Sequence, residues 1–235
     1  MADAPILLLS CEHASNRIPR EYLHVFHGCR ALLASHRAYD AGALACARAI
    51  GRRLHAPLIA ASYSRLLVDL NRSPGHPALF SMCTRTLSPE EKRRVIARYH
   101  EPHRMRVERW VGARIARGRR VVHVAVHSFT PVLDGVTRRA DVGLLYDPGR
   151  STESALCRRW RDALREAGGN PLTVRRNYPY RGTSDGLTRH LRARFPVSRY
   201  TGVELEINQN RLRGDRARER LSTLLAITLR QALLG

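Results

Sequence analysis

Residues 121–128 read VVHVAVHS, an apolar run that carries two histidines four positions apart. A continuous valine-rich run of this kind predicts a β-strand that is buried on both faces. Because side chains alternate along a strand, His123 is set off from the buried run, whereas His127 and Ser128 emerge at the strand's carboxyl end. Open α/β sheets bind ligands beyond that end of their strands. The stretch therefore predicts an α/β fold and marks the position of a site.

Short β-rich runs alternate with helical patterns along the chain, and no Gly-, Ser- or Pro-rich linker divides it. Strands are predicted at residues 6–10, 58–61, 66–70, 121–126, 142–145, 172–174 and 203–207, and helices after Asp40, Ser88, Ser151, Asp185 and Asp215. The helix after Ser88 has the clearest start, since SPEE forms a capping box, and its pattern extends to about Arg117. The sequence predicts one α/β domain spanning residues 1–235.

The composition is that of a globular protein, with 43% hydrophobic and 26% charged residues among 235. No apolar run approaches the ~20 residues of a membrane-spanning helix, and the opening MADA lacks the basic region of a secretory signal. We therefore expect a cytoplasmic protein without membrane association. Five scattered cysteines form no C-x-x-C pair, which argues against a disulfide framework and predicts mostly small buried thiols.

The net charge of +21 would, taken alone, suggest a polyanionic partner such as nucleic acid. However, Lys92 is the only lysine among 41 basic residues, and the arginines are spread over the chain together with abundant alanine. This distribution is typical of a coding bias toward arginine and alanine, whereas a selected binding surface would be clustered. We expect no specific nucleic-acid partner.

Two polar clusters contain candidate metal ligands. SCEHASNR, at residues 10–17, follows the first predicted strand and places His13 where a neutral imidazole could bind a metal. An isolated histidine, however, more often hydrogen-bonds a turn. RAYDAGA, at residues 37–43, places Asp40 before a helix, where its side chain is either a helix N-cap or a carboxylate ligand.

Two further clusters contain candidate binding and catalytic groups. Arg72 follows Asn71 at the end of a predicted strand, and a guanidinium beside an amide can grip a carboxylate. In so arginine-rich a chain, a surface role is the alternative. Glu204 and Glu206 alternate inside the apolar strand at 203–207 and share one face, where burial is costly unless they are paired or used. The alternative is that this is an edge strand and that the two glutamates lie on its solvent-exposed face. Ser128 lacks the G-x-S-x-G elbow of a serine nucleophile.

Longer motifs surround these residues: SCEHASNRIP (10–19), YDAGA (39–43), SRLLVDLNR (64–72), HSFTPVLDG (127–135), DVGLLYD (141–147), NYPYRG (177–182) and VELEINQ (203–209). In this order they resemble the N-formylglutamate amidohydrolase family, bacterial zinc-dependent hydrolases related in fold to the zinc carboxypeptidases. The similarity covers nearly the whole chain. It implies a single-domain, three-layer α/β/α fold with a mixed, mostly parallel central sheet.

The resemblance also implies a set of metal ligands. His13 and His127 are the expected histidine ligands of one zinc ion per chain. Carboxypeptidases carry a glutamate three residues after the first histidine, but this chain has Asn16 there, and an amide is a poor zinc ligand. Asp40, the aspartate of YDAGA, is therefore the expected carboxylate ligand, with Glu12 as the next candidate.

Binding and catalytic roles follow from the same resemblance. Asn71 and Arg72 are expected to grip the substrate's carboxylate. Glu206 is expected to be the catalytic base that takes a proton from water, with Glu204 as the alternative. Arg181, in a Pro-Tyr-Arg-Gly turn, is expected to hold a second carboxylate or the oxyanion.

The implied activity is zinc-dependent hydrolysis of the amide of an N-acylated acidic amino acid, with N-formyl-L-glutamate giving formate and L-glutamate. One alternative is a related amidase or carboxypeptidase-like deacylase that prefers another acyl group or amino acid, because a shared fold does not fix the substrate. Another is a basic nucleic-acid-binding protein on a hydrolase scaffold. The sequence does not indicate an oligomeric state.

Overall fold

The computed structural model describes residues 4–167 and 172–234 of the chain. Eight strands are present in these ranges: β1 (Ile6–Cys11), β2 (Leu58–Ala60), β3 (Val121–Phe129), β4 (Val132–Leu133), β5 (Val136–Thr137), β6 (Val142–Leu145), β7 (Val174–Arg176) and β8 (Tyr200–Asn208). The α-helices there are α1 (Arg30–Leu33), α2 (Ala43–Leu54), α3 (Pro89–Val95), α4 (Glu101–Ile115), α5 (Ser151–Glu166), α6 (Leu187–Arg194) and α7 (Asp215–Leu234). Two 3-10 segments, Arg20–Cys29 and Gln209–Leu212, complete the set with a π-helical turn, Ile96–His100.

Six strands form the central sheet in the order β2-β1-β3-β8-β6-β7, while β4 and β5 form a separate hairpin. The first four strands of this order run parallel to one another. β6 is antiparallel to β8, and β7 is parallel to β6. This arrangement confirms the predicted mixed, mostly parallel sheet.

Helices cover both faces of the sheet. On one face the larger core cluster includes Val124 of β3 together with Trp160 of α5 and Leu225 of α7. On the other face a smaller cluster joins Leu8 of β1 to Val111 of α4. Because both faces are covered, all nine residues of β3 and all nine of β8 are buried, and the predicted three-layer α/β/α fold is confirmed.

The prediction of a strand at residues 66–70 was wrong. This apolar segment is buried, but it forms consecutive turns. Two of its carbonyl groups accept hydrogen bonds from side-chain hydroxyls and not from a neighbouring strand: Ser81 Oγ donates to Leu66 O at 2.6 Å, and Thr84 Oγ1 donates to Leu67 O at 3.2 Å. A buried apolar run fits a satisfied turn as well as a strand. The strand predicted at 172–174 is displaced toward the C-terminus, since β7 begins at Val174, the last residue of the predicted strand.

The helical region after Ser88 begins as predicted but is not one continuous α-helix. Ser88 Oγ accepts from the Glu91 backbone N–H at 3.2 Å, and Glu91 Oε2 accepts from the Ser88 N–H at 2.9 Å, which completes the capping box. The π-helical turn then separates α3 from α4. Turns of this kind often occur at functional sites.

No helix within the described ranges is long and apolar enough to cross a membrane.

The cysteines are of two kinds. Cys11, Cys46 and Cys157 are buried free thiols, as expected. Cys29 and Cys83, 54 residues apart, form a disulfide that the spacing of the cysteines did not predict.

Candidate active site

The centre of the sheet brings polar side chains onto one face. β3 and β8 pair so that His127 lies opposite Glu206, and Ala125 lies opposite Glu204. On the other side of β8, Glu206 is paired with Gly143 of β6. Since the register has a period of two residues, these side chains point to the same side of the sheet.

Gly143 allows the chain to pass closely over this part of the face. A Cβ atom at position 143 would lie 1.9 Å from the backbone oxygen of Tyr178 and 3.2 Å from the Cβ of Glu206. Only glycine leaves this space. The NYPYRG segment is therefore packed directly against the strand beside Glu206.

His13, Asp40 and His127 are brought together at the carboxyl ends of β1 and β3. Asp40 Oδ2 lies 3.0 Å from His127 Nδ1 and 3.3 Å from His13 Nδ1. One potential ligand atom from each residue lies within 4.8 Å of the other two, and all three residues are buried. Two imidazole nitrogens and a carboxylate oxygen are a donor set that zinc prefers in catalytic sites.

A second carboxylate contacts the ring nitrogen of His13 that does not face Asp40. His13 Nε2 donates to Asp69 Oδ1 at 2.7 Å, and Arg65 Nη2 donates to Asp69 Oδ2 at 2.6 Å. Arg65 Nη1 also lies 3.3 Å from His13 Nδ1. With the proton of a neutral His13 on Nε2, its Nδ1 keeps the lone pair that a metal ligand needs, and this nitrogen faces both Arg65 and Asp40. Histidine ligands of metals are commonly oriented by a carboxylate on the other ring nitrogen.

A carboxylate also lies beside the second histidine. Glu12 Oε2 lies 3.1 Å from His127 Nε2, and Glu12 Oε1 lies 3.7 Å from Nε2 of His103 on α4. Glu12 is completely buried, and neither of its oxygens makes a hydrogen bond of good geometry among the described residues. Glu12, the second candidate for the carboxylate ligand, thus faces the side of His127 that is turned away from Asp40.

Asp40 is not a helix cap. Helix α2 begins at Ala43 with Gly42 as its N-cap residue, in the left-handed conformation at φ 80°. The Asp40 carboxylate instead accepts a hydrogen bond from the Ser128 backbone N–H at 3.3 Å, in addition to its contacts with the two histidines. Asn16, where carboxypeptidases carry a ligand, is exposed, and its side chain donates to the Leu33 carbonyl at 3.0 Å.

The buried charges of this cluster fit a dication. Glu12, Asp40 and Asp69 contact the two histidines and supply three negative charges, and Arg65 supplies one positive charge. With neutral histidines the set carries a formal charge of −2. Buried charge without compensation is strongly unfavourable, so a bound metal ion of charge +2 matches both the donor atoms and the electrostatics.

The pKa values of the cluster reflect this excess of negative charge. Burial by itself lowers the pKa of His127, but Asp40 and Glu12 outweigh it and hold that pKa well above its usual range. Burial raises the pKa of Asp40, yet the charges and hydrogen bonds of His13 and His127 bring it below its usual range. In the absence of metal, the two carboxylates therefore favour the protonated form of His127.

The two strand glutamates have different surroundings. Glu204 Oε1 accepts a hydrogen bond from Thr188 Oγ1 at 2.5 Å. Glu206 Oε2 is buried without a hydrogen-bond partner among the described residues. Burial raises the pKa of Glu206 to about 8; the nearby His127 lowers this pKa by a smaller amount, and the carboxylate of Asp40 raises it further. A buried, unpartnered carboxyl with a raised pKa is a common feature of catalytic acids and bases.

A cavity of about 320 Å³ opens above the cluster. Asp40 and Asp69 are among its lining residues, together with His36, Arg37, Arg65, Leu66, Arg72, Ala78, Ser81, Ser128, Phe129, Thr130, Leu133, Arg138, Tyr180 and Gln209. Ser128 Oγ donates to the Ala41 carbonyl at 2.9 Å, so its hydroxyl serves the loop and faces no catalytic base. The cavity is rich in guanidinium groups, which suits an anionic ligand.

Arg72 lies in this cavity, and α4 and the π-helical turn fix its backbone. His100 Nε2 donates to the Arg72 carbonyl at 2.7 Å, and Arg104 Nη1 donates to the same oxygen at 3.3 Å. The side chain of Arg72 donates to the Asp185 carbonyl at 2.9 Å. Asn71 Oδ1 accepts from the Leu187 N–H at 2.7 Å, and this bond orients the side-chain amide.

Arg181 is placed differently from the expectation. It lies on an exposed turn, and its carbonyl accepts from the Ser184 N–H at 3.0 Å. It is not among the residues that line the cavity. Its neighbour Tyr180 lines the cavity instead.

Three residues of the cluster were not singled out from the sequence. Arg65 and Asp69 lie in the motif SRLLVDLNR at an i, i+4 spacing, which was a usable signal for a paired charge. His103 lies on α4, and no pattern in the sequence separates it from the other histidines. Only the fold brings it next to Glu12.

Residues 6–212 match the sequence model of the N-formylglutamate amidohydrolase family. The chain belongs to this family. It is therefore an amidohydrolase that acts on a small molecule.

Solved structures agree with this fold. A gene product of Agrobacterium tumefaciens is 32% identical to this amidohydrolase, with a TM-score of 0.85 over 98% of this chain and 91% of that one. N-formylglutamate amidohydrolase from Ralstonia eutropha JMP134 is 23% identical, with a TM-score of 0.70 over 98% of this chain and 94% of that one. No curated protein sequence matches the chain significantly.

Proposed function

We propose that this amidohydrolase uses one zinc ion per chain to hydrolyse N-formyl-L-glutamate to formate and L-glutamate, within one catalytic domain. The observation that supports this most directly is the buried His13–Asp40–His127 cluster at the base of an arginine-lined cavity. The donor atoms would hold the metal, and the guanidinium groups would attract a substrate that carries carboxylates. Zinc, when bound, supplies Lewis acidity that polarises an amide carbonyl and makes water more acidic.

Glu206 is the proposed general base. Its unpartnered Oε2 would accept a proton from the attacking water and return it to the leaving nitrogen. A pKa of about 8 in the metal-free chain would fall when a dication is near, because the positive charge favours the carboxylate. Glu204 is the weaker candidate, since Thr188 already occupies one of its oxygens.

Arg72 and Asn71 are proposed to bind the substrate's α-carboxylate. The Arg72 backbone is held by His100 and Arg104, so the guanidinium is presented from a fixed base. The Asn71 oxygen is engaged by the Leu187 N–H, which leaves its NH₂ group as the donor for a ligand.

The test is formate release by purified protein that has been stripped of metal with a chelator and then reloaded with zinc. We expect turnover of N-formyl-L-glutamate only after zinc is restored, with one zinc per chain by metal analysis. Faster turnover of N-acetyl-L-glutamate or of N-formyl derivatives of apolar amino acids would instead support the related deacylase. Activity that is unchanged after complete removal of metal would overturn the metal-dependent proposal.

The nucleic-acid-binding alternative has only the net charge in its favour. Phosphate binding weakens steeply as salt rises, whereas turnover of a small substrate responds modestly. Titration of the protein with duplex DNA at two salt concentrations, beside the turnover assay, separates these two activities.

A further inference from the structure

The guanidinium groups of the cavity are not equivalent. Arg65 is paired with Asp69 at 2.6 Å, and Arg37 is exposed. Arg72 and Arg138 are partly buried, and neither has a carboxylate within 4 Å in the described parts of the chain. Within the part of the chain that the structure describes, the cavity therefore presents two guanidinium groups that form no ion pair within 4 Å.

The backbone of Arg138 is fixed on both sides. Its N–H donates to the Pro131 carbonyl at 2.7 Å, which closes the loop that contains the β4–β5 hairpin. Its carbonyl accepts from Asn208 Nδ2, at the end of β8, at 3.2 Å. The hairpin loop and the central sheet thus hold the residue in place at the cavity wall.

The side chain is positioned as well. The guanidinium lies over two rings, 5.2 Å from the centroid of Tyr180 and 5.9 Å from that of Phe129. Arg138 Nη1 donates to the Tyr180 hydroxyl at 3.1 Å. No other hydrogen bond from this guanidinium occurs among the described residues, and Arg138 lines the cavity, so its remaining N–H donors are available to a ligand there. Stacking on aromatic rings orients a guanidinium and lowers the entropy lost when it binds.

We propose that Arg138 forms a second carboxylate subsite, which binds the side-chain carboxylate of the acidic amino acid while Arg72 binds its α-carboxylate. This assignment rests on the proposed function, and it gives to Arg138 a role that the sequence suggested for Arg181. Two fixed guanidinium groups in one cavity select a dicarboxylate over a substrate with a single carboxylate, because each can bind a carboxylate bidentately.

The experiment compares N-formyl-L-glutamate with N-formyl-L-glutamine, which has nearly the same shape without the second charge. In Arg138→Met, kcat/KM for the glutamate substrate should fall at least tenfold, while kcat/KM for the glutamine substrate stays within about twofold. The matched control is Arg139→Met, since Arg139 is adjacent, exposed and outside the cavity lining. An unchanged ratio of the two kcat/KM values in Arg138→Met would overturn the subsite.

A second variant protects the test against misfolding. Arg138→Lys keeps the charge but loses the planar fork, so its preference for the glutamate substrate should lie between those of wild type and Arg138→Met. Melting temperature is measured for all variants. If Arg138→Met does not fold, wild-type preference in Arg138→Lys would overturn the subsite and reduced preference would support it.

Binding separates this proposal from the proposed function. Calorimetric titration of the zinc-loaded protein with L-glutamate and with L-glutamine should show tighter binding of glutamate, and Arg138→Met should abolish the difference. If that result is obtained but no N-formyl amino acid is hydrolysed, the subsite stands and the proposed function fails. If N-formyl-L-glutamate is hydrolysed but the glutamate preference survives in Arg138→Met, the subsite alone fails.

Discussion

His123 and His127 lie four residues apart on β3, on the same side of the strand, and both are buried, yet their surroundings differ completely. His123 contacts two neutral hydroxyls, Ser10 Oγ at 2.7 Å from its Nε2 and Tyr200 Oη at 2.8 Å from its Nδ1. His127 lies between two carboxylates, those of Asp40 and Glu12.

These neighbours determine the charge of each ring. Burial lowers the pKa of His123 to about 4, because its partners offer hydrogen bonds but no compensating charge. Carboxylates raise the pKa of His127 despite equal burial. Strand position and burial are therefore the same for the two residues, and the partners alone separate a neutral structural histidine from one that can bind a cation.

Removal of His127 is expected to have the largest effect. His127→Ala deletes one of three proposed ligands, so zinc content should fall close to zero and formate release should be lost with it. Metal analysis after dialysis and the formate assay measure the two effects.

The same strand supplies the control. His123→Gln keeps one donor and one acceptor for Ser10 and Tyr200, so this variant should retain zinc and activity. Full zinc content in His127→Ala would show that the two histidines do not differ in the proposed way.

The comparison extends across β8, where Glu206 pairs with His127 and Glu204 pairs with Ala125. Glu206→Gln preserves size but cannot accept a proton, so kcat should fall roughly 10²–10⁴-fold with zinc content unchanged. Glu204→Gln should have a smaller effect in the same steady-state assay. A larger loss in Glu204→Gln would place the base two residues earlier on the strand.

The partners of the histidines provide a finer test. Asp69→Asn replaces the carboxylate that accepts the hydrogen bond from His13 Nε2 with a neutral amide. Zinc affinity should therefore fall roughly 10–100-fold. Ser10→Ala removes a partner of His123 and should leave zinc affinity unchanged. Competition with a metal indicator measures the affinities, and equal affinities in the two variants would contradict the orienting role of Asp69.

The smallest expected effect concerns pH. The pKa of native His123 is about 4, below the value of about 6.5 for a free histidine. Below pH 6.5 the unfolded chain therefore binds a proton that the native protein does not, and native stability falls as the pH drops toward 4. Between pH 7 and 5.5 this group should cost about 1 kcal/mol of unfolding free energy.

Urea unfolding of metal-free wild type and His123→Gln isolates that contribution, because all other groups titrate in both proteins. The stability advantage of wild type should shrink from pH 7 to pH 5.5. An advantage that does not change with pH would show that His123 takes up its proton over the same pH range in the native and the unfolded chain, and that its pKa is not lowered by burial.

Much of the fold could be predicted because the central strands are apolar runs and one helix begins with a complete capping box. The run at 121–128 was sufficient to identify β3, and the capping box located α3. The segment at 66–70 was misassigned because hydrophobicity reports burial, whereas a strand also requires a neighbouring backbone. Here Ser81 and Thr84 satisfy the carbonyls instead.

The candidate site was predictable to a similar depth. His13, Asp40 and His127 were found because each lies in a distinctive motif, and the fold places their ligand atoms together. His103 and Arg138 were not found, since their importance depends on contacts with residues far away in the sequence. Arg181 shared a motif with Tyr180, and the sequence could not tell which of the two faces the cavity.

Gly143 and Gly182 have a consequence for how this enzyme could change its substrate. Added Cβ atoms there would lie 1.9 Å from Tyr178 O and 2.1 Å from Tyr146 N, respectively. Any larger residue at either position would push the loop around Tyr180, and with it the aromatic support of Arg138, away from the cavity. Neither glycine lines the cavity, so a search for altered substrate range should sample these two positions together with the cavity wall.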